Sequence, residues 1–348
     1  MFEIWYAIAA LMLTGYVVLD GYDFGAGILH LFVARTDSER RQVLAAIGPF
    51  WDGNEVWLIT AGGALFVAFP RVLSSGISGF YFAIFLVLWC LILRGISIEF
   101  RSHVADPIWR TSWDFAFALA SALLPVFFGA ALGNLLRGVP LDSEGWFELP
   151  LFTDFTTRDP VGILDWYTVL VGVFAFVAIT AHGAAFLAWK TDGAVARRSK
   201  KAARGFFVGV AVLWPVVTVA TQRVFPGFWT GLSSRPLAWV LAAVAFSGIT
   251  AFFLFSSRER ERAAFLASGA FVAGLSGATV ACMFPVLLRA RGASALSMTA
   301  ANGGGDPEGL RMATGWFALG FPLVILYLFM LFRLHRGKAT PAAEGEGY

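Results

Sequence analysis

Two aspartates one helical turn apart interrupt the first apolar run of this chain, in Leu19-Asp20-Gly21-Tyr22-Asp23-Phe24-Gly25-Ala26-Gly27. The residues from Ile4 to Leu19 are apolar enough to enter a bilayer, where a charged carboxylate at the helix centre costs about 2.5 to 3.5 kcal/mol on insertion scales. Acids retained at that cost pair with a cation, face a polar cavity, or exchange protons. On a helix, Asp20 lies ~24 Å and Asp23 ~28 Å along the axis from Ile4, toward the far side of the membrane. His30 falls almost on the same stripe, and Gly21, Gly25 and Gly27 leave room for another helix to come close.

More polar groups gather at that side. Trp51-Asp52-Gly53-Asn54-Glu55-Val56-Trp57 opens the second apolar run, and Asp52 and Glu55 share a helical face at i, i+3 spacing. Arg94 and Glu99 end the third run, Asp114 begins the fourth and His182 ends the fifth. Buried acids in file with water relay protons, because desolvation and like-charge repulsion raise one carboxyl pKa until it can exchange. The static alternative makes Arg94 the partner of one acid and Asp52 a helix cap; it leaves Asp114 solvated at a helix start and Glu55 reaching for headgroups. Asp20, Asp23, Asp52 and Glu99 are the leading candidates for a proton pathway, followed by Glu55, Asp114 and Arg94. His30 and His182 read as structural.

The elements that must position them span a membrane. Of 348 residues, 58% are hydrophobic and 14% charged, where soluble domains are about a quarter charged. The pattern predicts an all-α polytopic protein with nine spans, at 4–33, 51–70, 76–98, 112–134, 161–188, 204–223, 236–256, 262–288 and 312–334. The second is uninterrupted only from Val56 to Phe69, so it spans only if its polar start, Trp51 to Glu55, sits at the membrane edge. Thr36-Asp37-Ser38-Glu39 reads as a capping box opening a surface helix over 37–48. Spans one to four (1–136) and five to eight (161–288) suggest two four-helix units of like orientation, with 312–334 peripheral and 337–348 a disordered tail.

With the N-terminus outside, 18 of the 26 Lys and Arg fall on inner segments and 8 on outer ones; the positive-inside rule therefore expects an outside N-terminus and a cytoplasmic C-terminus. The basic stretch Lys190 to Arg204 reads as a topology determinant, with no nucleic-acid role. The first span lacks a basic leader and a cleavage site, so it is expected to be retained. Cys90 and Cys282 fall inside spans without metal-like spacing, and the glycine run at Gly303 lacks the Lys-Ser/Thr of a phosphate loop and reads as flexible. The four histidines, His30, His103, His182 and His335, offer no evident pair for haem ligation, so no cofactor is expected on this chain's own side chains.

At these residues the chain resembles subunit II of the cytochrome bd quinol oxidases. The resemblance rests on Asp20 to Gly25, Arg40-Arg41, the run Trp51 to Leu65, Ser78-Gly79-Phe80-Tyr81, Gly133 to Pro140 and Met283-Phe284-Pro285. It implies a bacterial cytoplasmic-membrane oxidase that passes electrons from quinol to oxygen, taking protons from the cytoplasm. It also implies a partner, subunit I, carrying two b-type haems, one d-type haem and the quinol site, with small single-span accessory subunits, lipid and quinone as further associates. Asp20, Asp23, Asp52 and Glu99 stand at positions matching acids of the proton path; some members have Gln at the position of Glu55 and Asp at that of Glu99. The rival from the residues alone is a proton-coupled secondary transporter, which needs access from both sides of the membrane.

Overall fold

The structure is a computed structural model describing residues 1–341. Its described residues form twelve α-helices and one small hairpin. Helix α1 (Phe2–Val33) runs into α2 (Asp37–Ile47), which carries the expected capping box: Thr36 accepts from the Glu39 amide while the Glu39 carboxylate accepts from the Thr36 amide. A hydrogen bond from Arg198 is the main reason that the Glu39 carboxyl is held down at about 2.

The second expected span is broken. Helix α3 (Trp51–Ala68) stops before Pro70, and the chain bends by 120° into α4 (Pro70–Gly79). The cause is local: the residue before a proline is driven out of the α region, and Phe69 sits at φ −138°, ψ 58°. At 18 residues, α3 is only about 27 Å long. Eight helices are by themselves long and apolar enough to cross a membrane, and the α3–α4 pair makes a ninth if it counts as one span.

Helix α5 (Tyr81–Phe100) therefore starts later than the expected residue 76, because 76–79 belong to α4. Next come α6 (Pro107–Arg137), α7 (Trp166–Lys190), α8 (Gly193–Val224), the short α9 (Gly227–Ser234), α10 (Pro236–Ser257), α11 (Glu261–Met283) and α12 (Pro307–Leu334). Helix α7 begins at 166 rather than 161, where Asp165 caps it by accepting from the amides of Tyr167 and Thr168. The basic stretch before residue 204 forms the opening turns of α8, and α11 ends at Met283 instead of 288 because Pro285 cannot continue it. The chain then pairs β1 (Val286–Leu288) with β2 (Met298–Thr299) in antiparallel sense.

Helix α1 packs against α3, α6, α7 and α11, so it lies at the centre. Its glycines make that possible. A Cβ on Gly25 would collide with the Ile179 carbonyl and stand 2.7 Å from the Gly183 Cα, and one on Gly27 would collide with Ser121. The glycine run expected to be flexible is instead anchored, with the Gly305 amide bonded to the Ala68 carbonyl. Helix α12 lies outside, with Leu310 its one buried residue. The described part of the tail is docked, contrary to the expected disorder: Ala339 donates to the Lys190 carbonyl, and Lys338 to the Trp189 carbonyl, each at 2.6 Å. Residues 342–348, the rest of that segment, lie outside the described residues.

Gly25→Val is expected to force α1 and α7 apart and destabilise the protein by about 1 to 3 kcal/mol, the usual range for overpacking. Gly62→Ala, which would meet nothing within 4 Å, should leave stability intact. Thermal denaturation of the two detergent-solubilised variants checks the contrast.

Candidate functional site

Helices α1, α3 and α5 converge on one buried cluster. Asp20 is fully buried, and its Oδ1 accepts from Arg94 Nη1 at 2.6 Å. The other arm of the same guanidinium, Nη2, donates to Glu55 Oε1 at 2.6 Å. The face of the guanidinium lies 4.5 Å from the centre of the Phe24 ring, a cation–π contact strengthened by the absence of water. Glu55 thus turns inward as an ion-pair partner, although its side chain remains 26% exposed.

Asp23 is buried on the same helix and has no cation of its own. Its Oδ2 accepts from the Asn54 amide at 2.7 Å; that amide also lies 2.7 Å from the Tyr22 hydroxyl and 3.2 Å from the Leu19 carbonyl. Asp20 Oδ2 and Asp23 Oδ1 are buried and make no hydrogen bond. Three carboxyl groups here face one guanidinium, so the cluster lacks positive charge where it is least solvated.

Asp114 is handled differently. It is sealed from solvent, not solvated at a helix start as the static alternative had it. Its Oδ1 accepts from His30 Nε2 at 2.5 Å and Arg101 Nε at 2.6 Å, and its Oδ2 accepts from Arg40 Nη1 at 2.9 Å. Arg101 continues to Asp37 at 2.8 Å, tying α2 to the α5–α6 junction. Partial burial opposes it, but this bond and the charges of Arg101, Arg110 and Arg41 hold the Asp37 carboxyl below the usual range. Two arginines and a histidine thus converge on this one carboxylate.

Asp52 and Glu99 are exposed at the ends of α3 and α5, outside the buried cluster but on its side. Asp52 does not cap α3, whose N-cap is Phe50 without a side-chain bond. His182 stacks on Phe265 and lies 2.7 Å from Ser268 Oγ and 2.9 Å from the Val18 carbonyl.

Two features escaped the sequence reading. Asn54 is a hub rather than part of a polar helix start. The signal was present: the buried residues of α3 are Asn54, Trp57, Ala61, Ala64 and Ala68, a helical stripe that leaves Asp52 and Glu55 beside it. The second is a buried ion pair at the other end of α6, where Arg137 holds Asp165 and also bonds Asn134 and the Gly162 carbonyl. Sequence spacing alone does not bring residues 137 and 165 together.

Fold and site define a polytopic, all-helical membrane protein with a cluster of buried acids, Asp20, Asp23 and Asp114, toward one end of the bundle and a single buried ion pair, Arg137–Asp165, at the other. Residues 1–335 match the family described as cytochrome bd terminal oxidase subunit II, and the chain belongs to that family. It is 38% identical over 222 residues to cytochrome bd-I ubiquinol oxidase subunit 2 of Escherichia coli K12, an alignment covering 64% of this chain and 56% of that protein. The chain therefore matches only that part of the relative's length. Against cytochrome bd ubiquinol oxidase subunit 2 of Bacillus subtilis, identity is 29% over 344 residues, covering 97% of this chain and 98% of the relative. A chain from the structure of bd oxidase from Geobacillus thermodenitrificans has the same fold, with TM-score 0.70 and 18% identity over 96% of this chain and 98% of that one. None of these relatives supports the transporter alternative.

The family implies a haem in the complex, but the described residues of this chain do not fit one. Axial ligation needs an imidazole or thioether turned toward a cavity. A cavity of about 330 Å³, lined from α1 and from α6 to α11 mostly by apolar and aromatic groups, has no histidine or methionine in its lining. His182 spends both ring nitrogens on protein groups, and His30 Nε2 is committed to Asp114. Among the described residues no group of three His, Cys, Asp or Glu could hold a metal ion. Cys90 and Cys282 are free and buried.

Removing Arg94 should destabilise the protein by about 3 to 5 kcal/mol, because it strands buried charges. Arg94→Met is expected to lower the melting temperature, and adding Asp20→Asn should restore part of the loss, the signature of direct coupling. Independent, additive effects of the two substitutions would contradict the pairing.

Proposed function

We propose that this chain is the non-haem subunit II of a cytochrome bd-type quinol oxidase, supporting a haem-bearing subunit I and contributing to proton uptake. Oxygen reduced to water takes as many protons as electrons, so the complex needs a supply route as well as an electron path. Asp52 and Glu99 form the exposed mouth of that route, and Asp23 with Asp20 its buried section. Glu55 and Arg94 hold the electrostatic balance, and Asp114 is kept as framework. The single observation that carries this reading is the excess of carboxyl groups over cations in the Asp20–Asp23–Glu55–Arg94 cluster, beside an Asp114 cluster of opposite balance.

In this proposal two b-type haems, one d-type haem and the quinol site belong to subunit I, and small single-span subunits, lipids and quinone are further associates. The complex sits in the bacterial cytoplasmic membrane, with this chain's N-terminus outside and its C-terminus in the cytoplasm; the excess of Lys and Arg on inner segments supports that orientation. Helices α1, α3, α5 and α6 form one four-helix unit and α7, α8, α10 and α11 a second, with α7 packed against α1 and α6 across the seam. Helix α12 stays peripheral.

Asp23→Asn and Asp52→Asn each keep side-chain shape and remove one exchangeable charge, so both are expected to slow quinol-driven oxygen consumption with haem content preserved. Glu55→Gln, which retains a hydrogen-bond acceptor for Arg94, should be mild. The measurement is oxygen consumption and proton uptake in reconstituted vesicles, beside haem content. Normal turnover in both Asp variants would remove the pathway role, and equal loss of haem and activity would make it structural.

A further inference from the structure

We infer that Asn54 is the positioning residue of this proton route, holding Asp23 so that one carboxyl oxygen is fixed and the other is left to exchange. The inference rests on the pathway reading above and names the group that makes Asp23 competent.

The geometry is specific. Asn54 Nδ2 faces three acceptors on α1: Asp23 Oδ2 and the Tyr22 hydroxyl at 2.7 Å each, and the Leu19 carbonyl at 3.2 Å. A backbone carbonyl only accepts, so Leu19 requires the amide nitrogen, not the amide oxygen, on this side. Asn54 is 1% exposed. Asp23 Oδ2 is thereby held, while Oδ1 is buried without a hydrogen bond.

The neutrality of the donor matters as much as its place. Arg94 is committed to Asp20 and Glu55, so the charged groups facing Asp23 are those two acids and a cation they already share. A second guanidinium at residue 54 would place a cation directly against Asp23, as Arg40 and Arg101 do against Asp114. An apolar side chain would leave both Asp23 oxygens without a donor and the carboxyl free to turn. An amide fixes the orientation of the carboxyl without removing its capacity to bind a proton. The Tyr22 hydroxyl, also 2.7 Å from Nδ2, shares the two N–H donors of this amide, and the Tyr22 ring stacks on Phe186 with centroids 4.1 Å apart.

The test compares Asn54→Leu, Asn54→Gln and Asp23→Asn in the intact oxidase complex, with turnover expressed per assembled haem. The expected result for Asn54→Leu is a fall of about tenfold in kcat, the scale of one lost charge-assisted hydrogen bond. The quinol KM should stay unchanged and the solvent deuterium isotope effect on kcat should rise. Asn54→Gln, which keeps the amide, should recover much of the rate. If Asn54→Leu does not assemble, Asn54→Ala replaces it under the same criteria. Normal kcat per haem, or a loss that Asn54→Gln shares in full with an unchanged isotope effect, overturns the role of Asn54. The parallel variant separates the two levels: slow Asp23→Asn with normal Asn54→Leu removes only the positioning role, whereas normal Asp23→Asn removes the pathway beneath it.

Discussion

Everything near the acid end of this bundle follows from the cost of keeping carboxyl groups on a central membrane helix. Asp20 and Asp23 can stay on α1 only if other helices bring polar groups to them, and those helices must come close. The glycines of α1 allow it, with Gly25 against Gly183 of α7 and Gly27 against Ser121 of α6. Helix α5 supplies Arg94, and α3 supplies Glu55 and Asn54. Each donor reaches α1 from a different direction, so the contacts fix the relative positions of three helices as well as neutralising charge.

The acids are not treated alike, and the difference separates framework from chemistry. Asp114 is met by two arginines and a histidine and carries no spare valence for exchange. Asp20 shares one guanidinium with Glu55. Asp23 has a neutral amide alone among its recorded hydrogen bonds. Along this series the number of cations bonded to each acid falls. A buried ion pair does not by itself stabilise a fold, so the shortage of cations beside Asp23 makes most sense as a functional feature.

Much of this was legible from residue order. The apolar runs gave the eight helices long and apolar enough to cross a membrane and, at the bent α3–α4 pair, the place of a ninth; the Thr36–Glu39 box gave α2, and the clustering of ionisable residues at alternating helix ends pointed to the group of Asp20, Glu55 and Arg94. What the sequence could not supply was direction around each helix. Asp52 and Glu55 looked equivalent by spacing, yet the stripe from Asn54 to Ala68 faces the bundle, leaving Asp52 exposed and swinging Glu55 to Arg94. The breaks at Pro70 and Pro285 were also underweighted, because hydropathy is blind to a missing amide. The two long loops at 138–165 and 284–306 are ordered through pairings such as Arg137 with Asp165 and β1 with β2, long-range contacts with no local signal.

The central claim of the proposed route is that Asp23, the acid without a cation, changes protonation during turnover. Infrared difference spectroscopy of the complex between its reduced and oxidised states addresses it directly, through the carbonyl stretch of a protonated carboxyl group. The account predicts a band in that region that shifts in deuterated water, disappears in Asp23→Asn and survives in Asp20→Asn. A band that persists in Asp23→Asn and vanishes in Asp20→Asn, or no carboxyl change in the wild-type complex, would contradict it.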